Sequence, residues 1–250
     1  MNFLISAFNL ILYQPLFNTL VLLYEILPGH DFGLAIIILT VLIRLVLYPS
    51  SLQSIRSQKA MAEIQPKIQE IQRNYKNDQA KQAQVIMELY RKERISPFSG
   101  CLPLLLQLPI LIALYQVFWR GFQPEQLVNL YSFVPHPGQI NPFSLGIVNL
   151  SQPNAIFAIL SGALQFLQTK MLNPRQKEYS LKPKDNKTSQ FSEIMQKEML
   201  YIFPVFTVFI LLRLPSAIGL YWIITTLFAI IQQYLVFRKQ TDANIQILHQ

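Results

Sequence analysis

The sequence predicts an all-α, polytopic membrane protein, on three observations. Of 250 residues, 52% are hydrophobic and only 14% charged, where soluble domains carry roughly 25% charge. Several stretches reach the ~20 apolar residues a helix needs to cross a bilayer. The cationic side chains are gathered into alternate loops. A single cysteine excludes a disulfide scaffold, and the high hydrophobicity excludes a disordered chain.

Residues 1–31 open the chain with an uncharged run to Tyr24. A cleaved signal needs a basic n-region and a small-residue cleavage site; the first 24 residues hold neither Lys nor Arg, and no Ala-x-Ala occurs. Asn2, Ser6 and Asn9 form a polar stripe at helical spacing before Gln14 and Pro15. The segment reads as an N-terminal amphipathic helix in the extracytoplasmic interface, with a sixth span as the competing reading.

Residues 32–49 form the first span, apolar from Phe32 to Tyr48 except for Arg44. Residues 50–97 then turn polar. Met61, Ile64, Ile68, Ile71 and Tyr75 recur at 3, 4, 3, 4 spacing, a heptad seam. Ala83, Ile86 or Met87, and Tyr90 continue it on a second helix, and Asn74 to Asp78 supply a turn. This predicts a cytoplasmic helical hairpin, competing with a solvated linker, and Pro66 is expected to interrupt its first helix near Gln65. Within residues 98–240, spans two to five are expected at Cys101–Trp119, Leu145–Thr169, Met199–Leu212 and Leu214–Phe237, with a flexible basic loop at 171–198. Residues 241–250 read as a short tail.

Orientation follows from Lys and Arg, which accumulate in cytoplasmic loops. Loop 49–100 carries nine, segment 170–198 seven, and the stretch after Phe237 two, making eighteen of twenty-one. Segments 1–31 and 121–144 carry none. The N-terminus is therefore expected outside and the C-terminus in the cytoplasm. On this reading the net charge of +8 is mainly topological, and no specific nucleic-acid binding is expected.

Arg44 is the exception. An arginine at a span's centre costs about 2.5–3.5 kcal/mol on insertion scales, and the predicted spans offer no Asp or Glu to neutralise it. Either it snorkels to the interface, or it faces water, lipid phosphate or an incoming partner. Thr40 lies one turn earlier on the same face. Gln107, Gln165, Thr225, Thr226, Gln232 and Gln233 are further bundle-facing polar candidates, each equally able to act as interhelical glue. His30, His136, His249 and Cys101 make no metal spacing, Cys101 reading as a small buried residue, and no Gly-rich phosphate loop occurs. No enzyme and no cofactor are expected.

The chain carries Leu12-Tyr13-Gln14-Pro15-Leu16-Phe17, then Leu34-Ala35-Ile36-Ile37 leading to Leu39-Thr40-Val41-Leu42-Ile43-Arg44, and Tyr48-Pro49 and Gln65-Pro66. Gly100-Cys101-Leu102-Pro103 follows with Gln107 and Pro109, then Leu220-Tyr221-Trp222 and Gln232-Gln233. These strings, in this order, resemble the YidC/Oxa/Albino family of membrane protein insertases, in its bacterial YidC form. The resemblance implies a bacterial plasma-membrane insertase that takes hydrophobic segments of nascent proteins into a hydrophilic groove and releases them sideways into lipid. It places Arg44 in that groove, with Thr40, Gln107, Gln165, Tyr221, Trp222 and Thr225 as lining candidates. Nascent membrane proteins and lipid are the implied partners, with the ribosome and the Sec translocon as further candidates. Ser96-Pro97 stands where the family usually has Asn-Pro, and Thr225-Thr226 where it usually has Ser-Asn. The chain is also expected to lack the family's large periplasmic domain, lipobox cysteine and long basic tail. The competing function is a small channel or transporter using Arg44 as an anion site, and a third reading is a scaffold or chaperone.

Overall fold

The computed structural model describes residues 2–96, 102–120, 127, 129–172 and 198–248. Helices α1 (Asn2–Phe8), α2 (Gln14–Ile26), α3 (Phe32–Val46), α4 (Tyr48–Asn74), α5 (Gln79–Lys92) and α6 (Leu102–Arg120) are followed by strands β1 (Phe143–Ser144) and β2 (Val148–Asn149). Helices α7 (Ala155–Leu172), α8 (Phe203–Leu211) and α9 (Ser216–Leu248) complete the order. The predicted all-α class holds, the two antiparallel strands being two residues each.

Two proline-linked π-turns extend helices without breaking them. Asn9–Tyr13 joins α1 to α2, with the Gln14 N–H donating to the Asn9 carbonyl. The wider turn falls just before Pro15, which has no N–H to return to the preceding turn. A second π-turn, Glu198–Ile202, precedes Pro204 in the same way.

The chain divides into two compact units. The first comprises Met1–Leu47, Leu104–Leu164 and Phe206–Phe228. Its core gathers Phe17, Val21, Ile36, Leu114, Phe118 and Tyr221, all nearly inaccessible. Edge-to-face rings link α2, α3 and α6: Tyr24 to Phe32 and Phe32 to Phe118, each 6.3 Å between centroids. Helices α7 and α9 approach closely at small residues. A Cβ on Gly219 would lie 3.1 Å from the Phe157 Cβ, and Ser161 Oγ donates to the Phe157 and Gly219 carbonyls. In lipid, where apolar burial gives helices little mutual attraction, such close approach is what packs them. Outward-facing apolar side chains such as Leu108, Ile112, Ile159, Phe206 and Phe209 are exposed.

The second unit comprises Tyr48–Pro103, Gln165–Val205 and Ala229–Gln250, and includes the α4–α5 hairpin. Ile64 and Ile68 are buried on α4, as the heptad seam predicts. Asp78 Oδ1 caps α5 by accepting from the Lys81 N–H. At the far end Ile95 N–H donates to Tyr90 O and Arg94 N–H to Arg91 O. This is a Schellman closure, with Arg94 at φ +55° where glycine is usual.

Several expectations need correction. Pro66 does not interrupt α4, which runs unbroken through it; buried Ile64 and Ile68 on either side hold the helix across one missing hydrogen bond. On α5 the inward face carries Gln82, buried and donating to Gln72 O, while Ala83 and Met87 are exposed. The helix expected from Leu145 begins at Ala155: Leu145 (φ +51°) and Gly146 (φ +69°) turn the β1–β2 hairpin, and Asn154 Oδ1 caps α7 by accepting from the Ile156 and Phe157 N–H groups. Residues 241–248, read as a tail, continue α9. The predicted loop at 171–198 is helical at Met171 and Leu172 and joins the π-turn at Glu198; residues 173–197 and Cys101 lie outside the described residues.

A close ion pair in the hairpin has a titratable consequence. Lys67 Nζ donates to Glu93 Oε1 at 2.6 Å, and that bond and charge, helped by Lys92, hold the Glu93 carboxyl below its usual range. A depressed carboxyl contributes stability above its ordinary pKa and loses it as pH falls through the folded value. Spin labels at Arg73 and Gln84 are therefore expected to show a broader α4–α5 distance distribution as pH drops below the ordinary glutamate range. Glu93→Gln should remove that pH dependence, and the bond has no such role if the two proteins broaden identically.

Candidate functional site

Arg44 emerges near the end of α3, on an apolar helix whose start is fixed by Asp31 as N-cap. It is half-buried, and its Nε donates to Thr225 Oγ1 at 3.4 Å. Among the described residues no carboxylate pairs with it; the ion pairs there are His30–Glu25, Lys59–Glu63 and Lys67–Glu93. The guanidinium has five N–H donors, so one long bond to a hydroxyl leaves most of its capacity for another partner.

Thr225 follows Tyr221 by one turn on α9, and Tyr221 is buried with its phenol accepting from Gln107 Nε2 of α6 at 2.5 Å. Arg44, Thr225, Tyr221 and Gln107 thus form a polar line across three helices of the first unit. Spacing explains it: on α9 positions 221 and 225 share a face, and Arg44 sits one turn beyond Thr40 on α3.

The remaining candidates divide. Thr40 is buried, but its hydroxyl donates to the Ile36 carbonyl at 2.6 Å, so its proton is committed to its own helix. Trp222 is half-buried in the apolar packing, and its carbonyl accepts from the Thr226 hydroxyl. Gln165 belongs to the second unit, where it is buried with Oε1 unpaired. Gln233 Oε1 and Gln232 Nε2 are unpaired in that unit too, while Gln232 Oε1 accepts from Ser51 Oγ at 2.8 Å. The described residues contain no group of His, Cys, Asp and Glu able to hold a metal.

Sequence reasoning missed a second polar set, Asn18, Tyr24, Asp31 and Ser216, at the other end of the first unit. Asn18 Nδ2 donates to Gln14 O and Asn129 O, and its Oδ1 accepts from the Tyr131 N–H. The available signal was an asparagine inside an otherwise apolar helical repeat.

A family model described as 60Kd inner membrane protein matches residues 22–243. The chain belongs to that family. A relative from Fusobacterium nucleatum is 34% identical over 209 residues, covering 84% of this chain and 87% of its own length. One from Clostridium tetani is 37% identical over 196 residues, 78% of this chain and 77% of its own. A third, from Geobacter metallireducens, is 32% identical over 224 residues, and there the match covers 89% of this chain but 36% of the relative. All three bear the name membrane protein insertase YidC. Among the described residues three helices, at Phe3–Ile26, Ala155–Leu172 and Ser216–Arg238, are long and apolar enough to cross a membrane, or four if the bent pair α3 and α4 is one span. With the family, they make this a multi-pass bacterial inner-membrane protein.

Proposed function

We propose that the chain is a membrane protein insertase that draws segments of nascent membrane proteins toward Arg44 and releases them sideways into lipid. The observation that carries this reading is Arg44 itself, a half-buried guanidinium on an apolar helix, touching Thr225 and paired with no carboxylate among the described residues. The relatives' shared name supports it. A cation held below the interface attracts acidic residues of a client and shortens the apolar distance they must cross. Partitioning of the client's apolar segment, at about 25 cal/mol per Å², then supplies the free energy without nucleotide or bond cleavage.

The proposed topology has the N-terminus outside, five spans, and the hairpin and C-terminus in the cytoplasm, where the ribosome and the Sec translocon are candidate partners. Residues 3–26 are long enough to span, yet Asn18 and Tyr24 both bond to the segment before α7. They lie six residues, roughly 9 Å, apart along α2. A helix that follows an outer loop over that length fits the interfacial reading better than a sixth crossing.

A photoreactive residue at Thr225 is expected to form adducts with a stalled inserting segment, and one at fully buried Leu114 is not. Equal yields from the two positions would rule out passage beside Arg44.

A further inference from the structure

The turn between β1 and β2 carries a residue that water disfavours. Leu145 and Gly146 both have positive φ, +51° and +69°, and the Ile147 N–H donates back to the Ser144 carbonyl at 2.9 Å. Two positive φ angles closed by such a bond are the type I′ pattern, whose first central position favours Asn, Asp or Gly. Here that position holds a leucine, in a backbone conformation that bulky side chains resist. Leu145 and Ile147 are each 80% exposed. In water an asparagine at 145 would remove the strain and the apolar exposure together, so the leucine fits surroundings other than water.

Its setting agrees. Residues 129–152 contain no Lys, Arg, Asp or Glu, so the segment carries none of the charges that hold a loop in water. Exposed Phe133 lies 5.5 Å from Tyr131 between ring centroids, and amphipathic aromatic rings such as tyrosine favour the level of lipid headgroups. Directly after the segment, α7 presents exposed Ile156, Ile159 and Leu160, so the apolar surface of a span follows on from the hairpin in the chain. What keeps irregular backbone out of lipid is its unbonded polar groups. The Leu145 N–H, however, donates to the Asp31 carboxylate and the Ile147 N–H to Ser144 O. Asp31 also accepts from the Leu34 N–H at 2.7 Å and from Ser144 Oγ at 3.4 Å, so three donors meet its charge. A Cβ on Gly33 would fall 2.0 Å from Ser144 Oγ, which puts the hairpin directly on the first turn of α3.

We infer that the β1–β2 tip is a lipid anchor, with Leu145 and Ile147 seated among acyl chains just below the headgroups of the leaflet in which α3 begins. Because the hairpin rests on the first turn of α3, this seat sets the height at which α3, with Arg44 near its other end, stands in the bilayer. The anchor requires a membrane protein and is independent of the insertase reading.

The test uses nitroxide labels on Leu145→Cys and, separately, Ile147→Cys in full-length protein carrying Cys101→Ala, reconstituted in vesicles of phosphatidylethanolamine and phosphatidylglycerol. Collision with oxygen, which concentrates in lipid, is compared with collision with a water-soluble nickel chelate. Exposed Ile159 on α7 and exposed Asn77 in the α4–α5 turn serve as the lipid and water references. Both tip labels are expected to favour oxygen over nickel at least fivefold more than the label at Asn77, as the one at Ile159 does. Nickel access equal to that at Asn77 puts the tip in water, and low access to both reagents puts it against a second copy or another protein; either overturns the anchor. Leu145→Asn, which suits the turn and removes its apolar side chain, should raise nickel access at the Ile147 label at least threefold, with helicity retained in circular dichroism. No rise would mean that the leucine does not hold the tip in lipid, which also overturns the inference.

Discussion

Arg44→Ala is expected to reduce insertion of clients with acidic translocated segments by about tenfold or more, while Arg44→Lys keeps most of the activity. A hydrogen bond to a charged partner contributes about 1.5–3 kcal/mol, and 1.4 kcal/mol is a factor of ten, so losing one such contact suffices. Two roles of the side chain need separating. Its methylene stem can pack in apolar surroundings whatever the head does, and its head donates to Thr225. Arg44→Met preserves the stem and removes the charge. If charge attraction is what matters, Met should fail with Ala and Lys should work, and clients with neutral translocated segments should change by less than about twofold. Met supporting insertion as well as Lys, measured by protease protection of the translocated segment in proteoliposomes, would sink the electrostatic account.

Arg44 stood out in the sequence as a candidate because a lone charge inside an apolar run has few explanations. Its neighbours were harder. Tyr221 and Thr225 fall on one face of any helix, but linear sequence cannot say that the phenol meets Gln107, 114 positions away. Thr40 shared Arg44's face, yet its hydroxyl is taken by its own backbone, and face-sharing cannot distinguish the two outcomes. The helix error at Leu145 has a physical cause. Hydropathy rises at Leu145 whether the chain is helical or not, and Gly146, Asn149, Pro153 and Asn154 were the turn and cap signals that outweigh it. Pro66 erred in the opposite direction: one missing N–H costs less than the burial of Ile64 and Ile68 returns. The hairpin's first seam was legible from its heptad spacing; on the second helix Ile86 and Tyr90 share the inward face with buried Gln82, which does not register as a core residue, while Ala83 and Met87 are exposed. Apart from Asn18 in an apolar helical repeat, little in the linear sequence announced that residues 129–152 are fastened to three helices, since most of the partners are backbone groups that every residue carries.

Asn18→Leu tests that fastening at its most buried point. The substitution keeps roughly the side-chain volume and adds apolar surface, so a packing account alone expects little change or a gain. The hydrogen bonds give the opposite sign. The amide is 2% exposed, and losing it strands the Tyr131 N–H, which Oδ1 meets at 2.6 Å, and withdraws a donor from Asn129 O at 3.2 Å. Each buried group left without a partner costs about 1–3 kcal/mol, so a total of about 2–5 kcal/mol is expected, lowering the thermal midpoint by roughly 5–15 °C. Asn18→Asp separates the two halves of the amide. At neutral pH its carboxylate still accepts from Tyr131 but confronts the Gln14 and Asn129 carbonyl oxygens, which raises its pKa. A carboxyl raised in the folded state regains stability on acidification, because protonation restores a donor. The Asp variant is therefore expected to recover several degrees between pH 7 and pH 5, with no such recovery in the Leu variant. Melting of Asn18→Leu within a degree or two of the parent, followed by circular dichroism in detergent, would mean that packing rather than these bonds holds the segment in place.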